Sequence, residues 1–257
     1  MTGPNRFMVN LYAFFDDAGT SKDSVVVACA GYLAQAGRWD RFTPKWRHLL
    51  RSYNIPAREF SMKKFAHCVG PFRGWDEMKR RSFMAHALNL IQRYVEAGFV
   101  GVIRKRDYDT YLSEVLKNRI GGYFPFCAEM CISLMEAYAA KRAGRQFTDE
   151  PSEYINYVFE KGSLGAGHVH AAFEGFYWKM DRLLYREFTQ ENKEAAELHA
   201  ADILAYETRK NLSDLDLGKT SLRYPFNTLI LGIPHFIFGP DGPDIARINE
   251  ELRAQGT

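Results

Sequence analysis

The sequence predicts a single α/β domain over 1–257, with a mixed five-stranded sheet flanked by helices. A basic helical insertion occupies 36–98 and a C-terminal extension occupies 213–257. Three observations lead there. Apolar runs of strand length alternate with segments of helical spacing. Two of the strands, one early and one late, run directly into acids, Asp16 and Glu160. The 257 residues are 46% hydrophobic and 25% charged, enough to bury one large core.

The elements follow in order. Arg6–Phe15 is apolar at successive positions and reads as a strand covered on both faces. Asp16 and Asp17 close it, and Ala18-Gly19-Thr20 reads as a turn. Val25–Ala34 (VVVACAGYLA) is a second strand, and the short loop between the two predicts an antiparallel hairpin. Trp39, Phe42, Trp46, Leu49 and Leu50 recur at helical spacing in Trp39–Tyr53. Arg58–Met62 is a short strand candidate, Asp76–Ala97 a helix, and Phe99–Arg104 (FVGVIR) a third strong strand. Asp107–Asn118 is a short helix, and Pro125 opens another that runs to about Arg142. Tyr154–Glu160 (YINYVFE) is the next strand. A Gly-rich turn, SLGAGHV, leads into a helix near His168–Lys179. Leu184–Thr189 is a weak strand and Ala195–Asn211 a strong helix. The tail from Ser213 has loops and a last helix, Pro243–Ala254. With 36–98 set aside and 107–118 taken as a connection, the order is strand, strand, strand, helix, strand, helix, strand, helix. That is the element order of the ribonuclease H-like fold.

The acids give this order chemical content. Asp16 and Glu160 end two strands which, as parallel neighbours, would emerge at one sheet edge, where open α/β sheets bind ligands. Asp202 lies on or beside the apolar stripe of its helix, among Leu198, Ala201 and Ala205. A buried carboxylate without a partner costs several kcal/mol, roughly 2–7 on polar-group transfer scales, or takes up a proton. A divalent ion shared among carboxylates removes that cost. Converging acids without a cysteine or histidine cluster select a hard ion, Mg²⁺ or Mn²⁺. Two such ions clamp the attacking and leaving oxygens of a phosphodiester. Asp16, Glu160 and Asp202 are the candidate catalytic ligands, with Glu129 or Asp17 as a fourth. The plainer alternatives are a turn-capping Asp17, a Glu129 favoured by the helix dipole, and a Glu160 paired with Lys161 or a basic loop.

The chain resembles a bacterial family catalogued as domain of unknown function 3800. Its members open with a strand ending in a DES-G-like motif, here Asp16-Asp17-Ala18-Gly19. They close with a helix like LQAADLLAYE, here Leu198-His199-Ala200-Ala201-Asp202-Ile203-Leu204-Ala205-Tyr206-Glu207. GPFRGWDEMKRRSF, GVIRKRDYD and YVFEKGSLGAGH are also similar, so the resemblance covers about residues 8–212. It implies a ribonuclease H-like, metal-dependent nuclease with Asp16, Glu160 and Asp202 as ligands. Two departures stand out. Asp17-Ala18 replaces the usual Glu-Ser pair, and an EFH-like segment reads Glu59-Phe60-Ser61. His199 also stands where the family has Gln.

Net charge is only +3, but 36–98 holds 13 Lys and Arg against 5 Asp and Glu, a net of +8. A basic segment beside an acidic remainder suits a polyanion, DNA or RNA; a solvated helical face reads the same way. Lys63, Lys64, Arg73, Lys79, Arg80, Arg104 and Lys105 are the candidate contacts to nucleic acid, and Phe72, Trp75 and Tyr123 candidates for base stacking. Four scattered cysteines show no disulfide framework, and Cys127 and Cys131 read as buried thiols rather than zinc ligands. A reducing cytoplasm is expected. The longest apolar run is too short for a bilayer, and MTGPNRF has no signal-peptide pattern. Gly218-Lys219-Thr220 lacks the preceding glycine of a P-loop, since Ser213 stands there. Three functions compete: a Mg²⁺/Mn²⁺-dependent nuclease, a catalytically inactive nucleic-acid-binding or effector subunit, and an enzyme acting on a small phosphorylated molecule. A protein partner or a homo-oligomer is compatible with any of them.

Overall fold

A computed structural model describes residues 9–142, 153–162, 169 and 185–254. Its centre is a mixed sheet of six strands: β1 (Val9–Ala18), β2 (Val26–Gln35), β3 (Ala97–Arg104), β4 (Glu153–Glu160), β5 (Tyr185–Glu191) and β6 (His235–Phe238). Their spatial order is β5-β4-β1-β2-β3-β6. β2 runs antiparallel to β1 and β3, while β1 and β4, β4 and β5, and β3 and β6 pair in parallel. The expected hairpin is therefore present. The expected count of five strands is corrected to six by β6. It is only four residues long, between Pro234 and Gly239, and falls in the tail read as loop.

Nine helices are described: α1 (Ala36–Ser52), α2 (Met62–Ala66), α3 (Glu77–Tyr94), α4 (Lys105–Tyr111), α5 (Glu114–Ile120), α6 (Tyr123–Arg142), α7 (Ala196–Asp216), α8 (Tyr224–Gly232) and α9 (Gly242–Ala254). Three elements differ from expectation, the first being α8, which falls in the tail read as loops. Arg58–Met62 is not a strand: Ala57–Glu59 makes a 3-10 turn and Met62 begins α2. The single helix over 107–118 is two, because Ser113 restarts the chain, its side chain accepting from the Leu116 N–H. The helix near His168–Lys179 lies outside the described residues apart from Val169, which is helical and buried.

Strand alternation sends successive side chains to opposite faces. On one face, Phe14, Ala28, Ala30, Tyr32, Val100 and Val158 share a core with α1, α2, α3 and α7. On the other, Phe15, Cys29, Phe99, Tyr157 and Phe159 share a core with α4, α5 and α6. The 36–98 segment carries α1, α2 and α3 before β3 begins at Ala97, and it supplies much of the first layer: Trp46, Phe42, Phe60, Phe72 and Phe83 are fully buried there. Each such side chain contributes about 1.5–3 kcal/mol of apolar transfer. Two glycines permit close approaches. A Cβ on Gly101 would stand 2.1 Å from the Cys127 carbonyl oxygen, so glycine lets α6 lie directly on β3. Gly19, at φ +87°, takes the left-handed conformation needed just after the acids. No helix among the described residues is long and apolar enough to cross a membrane.

Candidate functional site

β1 carries Asp16 to the sheet edge because its apolar alternation continues to Ala18, three residues past the expected end. Phe15 pairs with Phe159 on the parallel strand β4, so Asp16 and Glu160 stand side by side one residue further on. Both belong to the face covered by α7. There Ala200, Ala201 and Ala205 are fully buried, and these small side chains let α7 settle against β1 and β2. Asp202 projects from this helix toward the same edge. Its Oδ2 accepts the Met62 N–H at 2.8 Å, so the start of α2 also meets the site.

Electrostatics shows how closely the three acids converge. Burial pushes the Asp16 carboxyl well above its ordinary value, and the charges of Asp202, Asp17 and Glu160 push it further. The Asp17 N–H, donated to Asp16 Oδ1 at 2.8 Å, offsets part of this. Burial raises Asp202 to about 6; the Met62 N–H and the Lys193 ammonium pull it down, while Glu160 and Asp17 push it up. Glu160 pairs with Lys193, Nζ to Oε1 at 3.6 Å. Asp202 and Glu160 keep partial contact with solvent, whereas Asp16 is buried.

Two of the expected acids are placed elsewhere. Asp17 leaves β1 on the opposite face, and its Oδ2 accepts from the Thr20 hydroxyl at 3.0 Å. It caps the turn, and its charge acts on the cluster from behind the strand. Glu129 sits on α6, which packs on that opposite face, and its charge acts on Tyr108. Neither joins Asp16 on the α7 side of the sheet.

Two further residues complete the site: Lys193, which the sequence reading misses, and His199, which it notes three residues from Asp202. Lys193, in the turn between β5 and α7, acts on Asp16, Glu160 and Asp202 together. His199 is buried, and Trp46 donates its indole N–H to Nδ1 at 2.9 Å. The ring proton therefore sits on Nε2, which donates to the Lys193 carbonyl at 2.7 Å. Burial lowers the pKa of His199 to about 4, so the ring is neutral. A basic residue ahead of a helix rich in alanine is the sole sequence signal for Lys193. For His199 the signal is its three-residue separation from Asp202.

The basic candidates divide. Lys63 and Lys64 directly follow Met62, whose N–H is held by Asp202. Lys79 lies over the Trp75 ring at 4.5 Å and the Arg80 guanidinium over Phe65 at 5.1 Å. The Arg80 Nε is buried without a hydrogen-bond partner among the described residues. Lys63, Arg73 and Lys79 are exposed. Arg104 and Lys105 are engaged within the chain: Arg104 is held by Asp216 through contacts of 2.6–3.0 Å, and Lys105 donates to the Ser21 carbonyl at 2.7 Å. Both are committed to the fold at the carboxyl end of β3. Of the stacking candidates, Phe72 is fully buried core, and Trp75 and Tyr123 remain half-exposed.

The donor set fits a hard divalent ion in its chemistry: carboxylates only, two of them raised by burial and by neighbouring carboxylates. As the side chains stand, no group of three among the described residues is arranged to hold a metal ion. Glu160 is drawn to Lys193 and Asp202 to the Met62 N–H instead. No protein-family model matches the chain, and no curated protein matches it.

Proposed function

We propose that the protein is a ribonuclease H-like, Mg²⁺- or Mn²⁺-dependent nuclease that hydrolyses phosphodiester bonds of DNA or RNA, and that it belongs with the family catalogued as domain of unknown function 3800. The observation that carries this is the convergence of Asp16, Glu160 and Asp202 at one sheet edge, with Asp16 and Asp202 raised by burial and by the surrounding carboxylates. The order β3-β2-β1-β4-β5, with β2 alone antiparallel, supports the fold reading.

Asp16, Glu160 and Asp202 would hold the metal, which when bound activates the attacking water and neutralises the charge developing on the phosphate. The chain's own residues hold and orient. The Met62 N–H fixes one oxygen of Asp202. The Asp17 N–H fixes one oxygen of Asp16. Lys63, Lys64, Arg73, Lys79 and Arg80 bind the phosphate backbone beside the acids, and Trp75 offers a ring for a base.

The test is cleavage of labelled single- and double-stranded DNA and RNA with Mg²⁺, Mn²⁺ or EDTA, comparing wild type with Asp202→Asn. Metal-dependent cutting lost in the variant supports the reading. The second reading is a catalytically inactive nucleic-acid-binding or effector subunit. It is favoured by the Glu160–Lys193 pair and by Ser61, which precedes the residue that holds Asp202. Salt-sensitive binding of nucleic acid without cleavage of any substrate would select it.

A further inference from the structure

We propose that Lys193 is a tethered cation that stands in the carboxylate cluster when no metal is bound and leaves Glu160 when the divalent ion enters. This rests on the metal reading of the site. The Lys193 ammonium is 3.6 Å from Glu160 Oε1, beyond close hydrogen-bonding range, so the pair is loose. Its charge reaches Asp16 and Asp202 as well, so it serves the cluster rather than one partner. The backbone beneath it is fixed. The Lys193 carbonyl accepts from His199 Nε2, and the Ala195 N–H donates to the Asn192 carbonyl at 3.0 Å. Trp46 locks the His199 ring in turn. The side chain above that anchor is 45% exposed, so its ammonium can swing to water without disturbing the turn. A fixed base under a movable charge is what an exchangeable counter-ion requires. An ammonium and a divalent ion on the same carboxylate repel strongly at these separations, so the two exclude one another. His199 and Trp46 act as positioning residues for the lysine.

The experiment is Mn²⁺ titration of the full chain, followed by the electron paramagnetic resonance signal of the free ion. Melting temperatures in EDTA are recorded alongside. Wild type, Lys193→Gln, Lys193→Arg and Asp202→Asn are compared. Lys193→Gln is expected to bind Mn²⁺ more tightly, on the order of five-fold, the size of one half-exposed ion pair. It is also expected to melt lower than wild type in EDTA. Lys193→Arg keeps the charge and is expected to stay near wild type on both measures. Equal or weaker binding by Lys193→Gln, with wild type binding normally and Asp202→Asn not binding, overturns this inference and leaves the metal reading standing. No Mn²⁺ uptake by wild type overturns both.

Discussion

Replacing Asp202 with asparagine should make the metal-free protein more stable while removing its affinity for metal. The carboxyl rises from 3.8 when unfolded to about 6 in the fold, mainly through burial. Between those values the folded chain keeps a proton that the unfolded chain has released. Stability therefore falls as pH rises through this window, and the loss is complete above about 6. At about 1.4 kcal/mol for each pKa unit, ionising Asp202 costs the fold about 3 kcal/mol. Asparagine is neutral at every pH, and its carbonyl oxygen can still accept the Met62 N–H. For a chain of this size 1 kcal/mol moves the melting temperature by about 2–4 °C. Asp202→Asn should thus melt roughly 6–12 °C higher at pH 7.5 in EDTA, a figure that already includes the lost attraction to Lys193. Calorimetric scans at pH 4 and pH 7.5 check the reasoning, because the gain should shrink toward zero at pH 4. Added Mn²⁺ should then raise the wild type and leave the variant unchanged. A variant that melts lower at pH 7.5, or gains equally at both pH values, would refute the account.

Four further outcomes are expected. His199 should stay neutral down to about pH 4 in an NMR titration; because its folded pKa is depressed, the stability it contributes is complete above about 6.5 and is lost as pH falls toward 4. Arg223→Ala should destabilise by about 2 kcal/mol in urea unfolding, since Glu207 is 2% exposed and its carboxylate is held by that guanidinium at 2.8 Å. Gly101→Ala should lose about 2–3 kcal/mol by the same method, because the added methyl meets the α6 backbone. Lys79→Ala should lower the slope of log binding constant against log salt by about 0.9 on duplex DNA, as loss of one phosphate contact would; Arg104→Ala should leave the slope unchanged.

The strands that position the acids were legible because they are buried on both faces and read as unbroken apolar runs. Asp202 was legible because an aspartate among Ala and Leu at helical spacing has no surface explanation. β6 was not, since four residues between Pro234 and Gly239 carry too little pattern to separate a strand from a loop. Arg58–Met62 misled because its Phe60 and Met62 alternate as in a strand, although they are buried from a turn and a helix start. The basic count could not show that Arg104 and Lys105 have partners within the chain. A sequence shows where charges lie along the chain, but Asp216, which binds Arg104, is 112 residues away. Lys193 escaped for the same reason: its place among the acids is set by the turn that His199 holds, a contact no local pattern encodes.

The cysteines carry a practical consequence. Cys29, Cys127 and Cys131 are fully buried in the core behind the acids, and burial raises the thiols of Cys29 and Cys127. Cys127 and Cys131 are turned toward the carbonyls of Val27 and Phe99. Cys68 alone is partly accessible, in the turn after α2 beside Lys63 and Lys64. Among the chain's four thiols, then, one is open to reagent in the native state and three become so only on unfolding. A maleimide fluorophore would enter at a single place, in the turn that follows Lys63 and Lys64, without any engineered cysteine. The rate at which the other three react would serve as a clock for global opening of the domain.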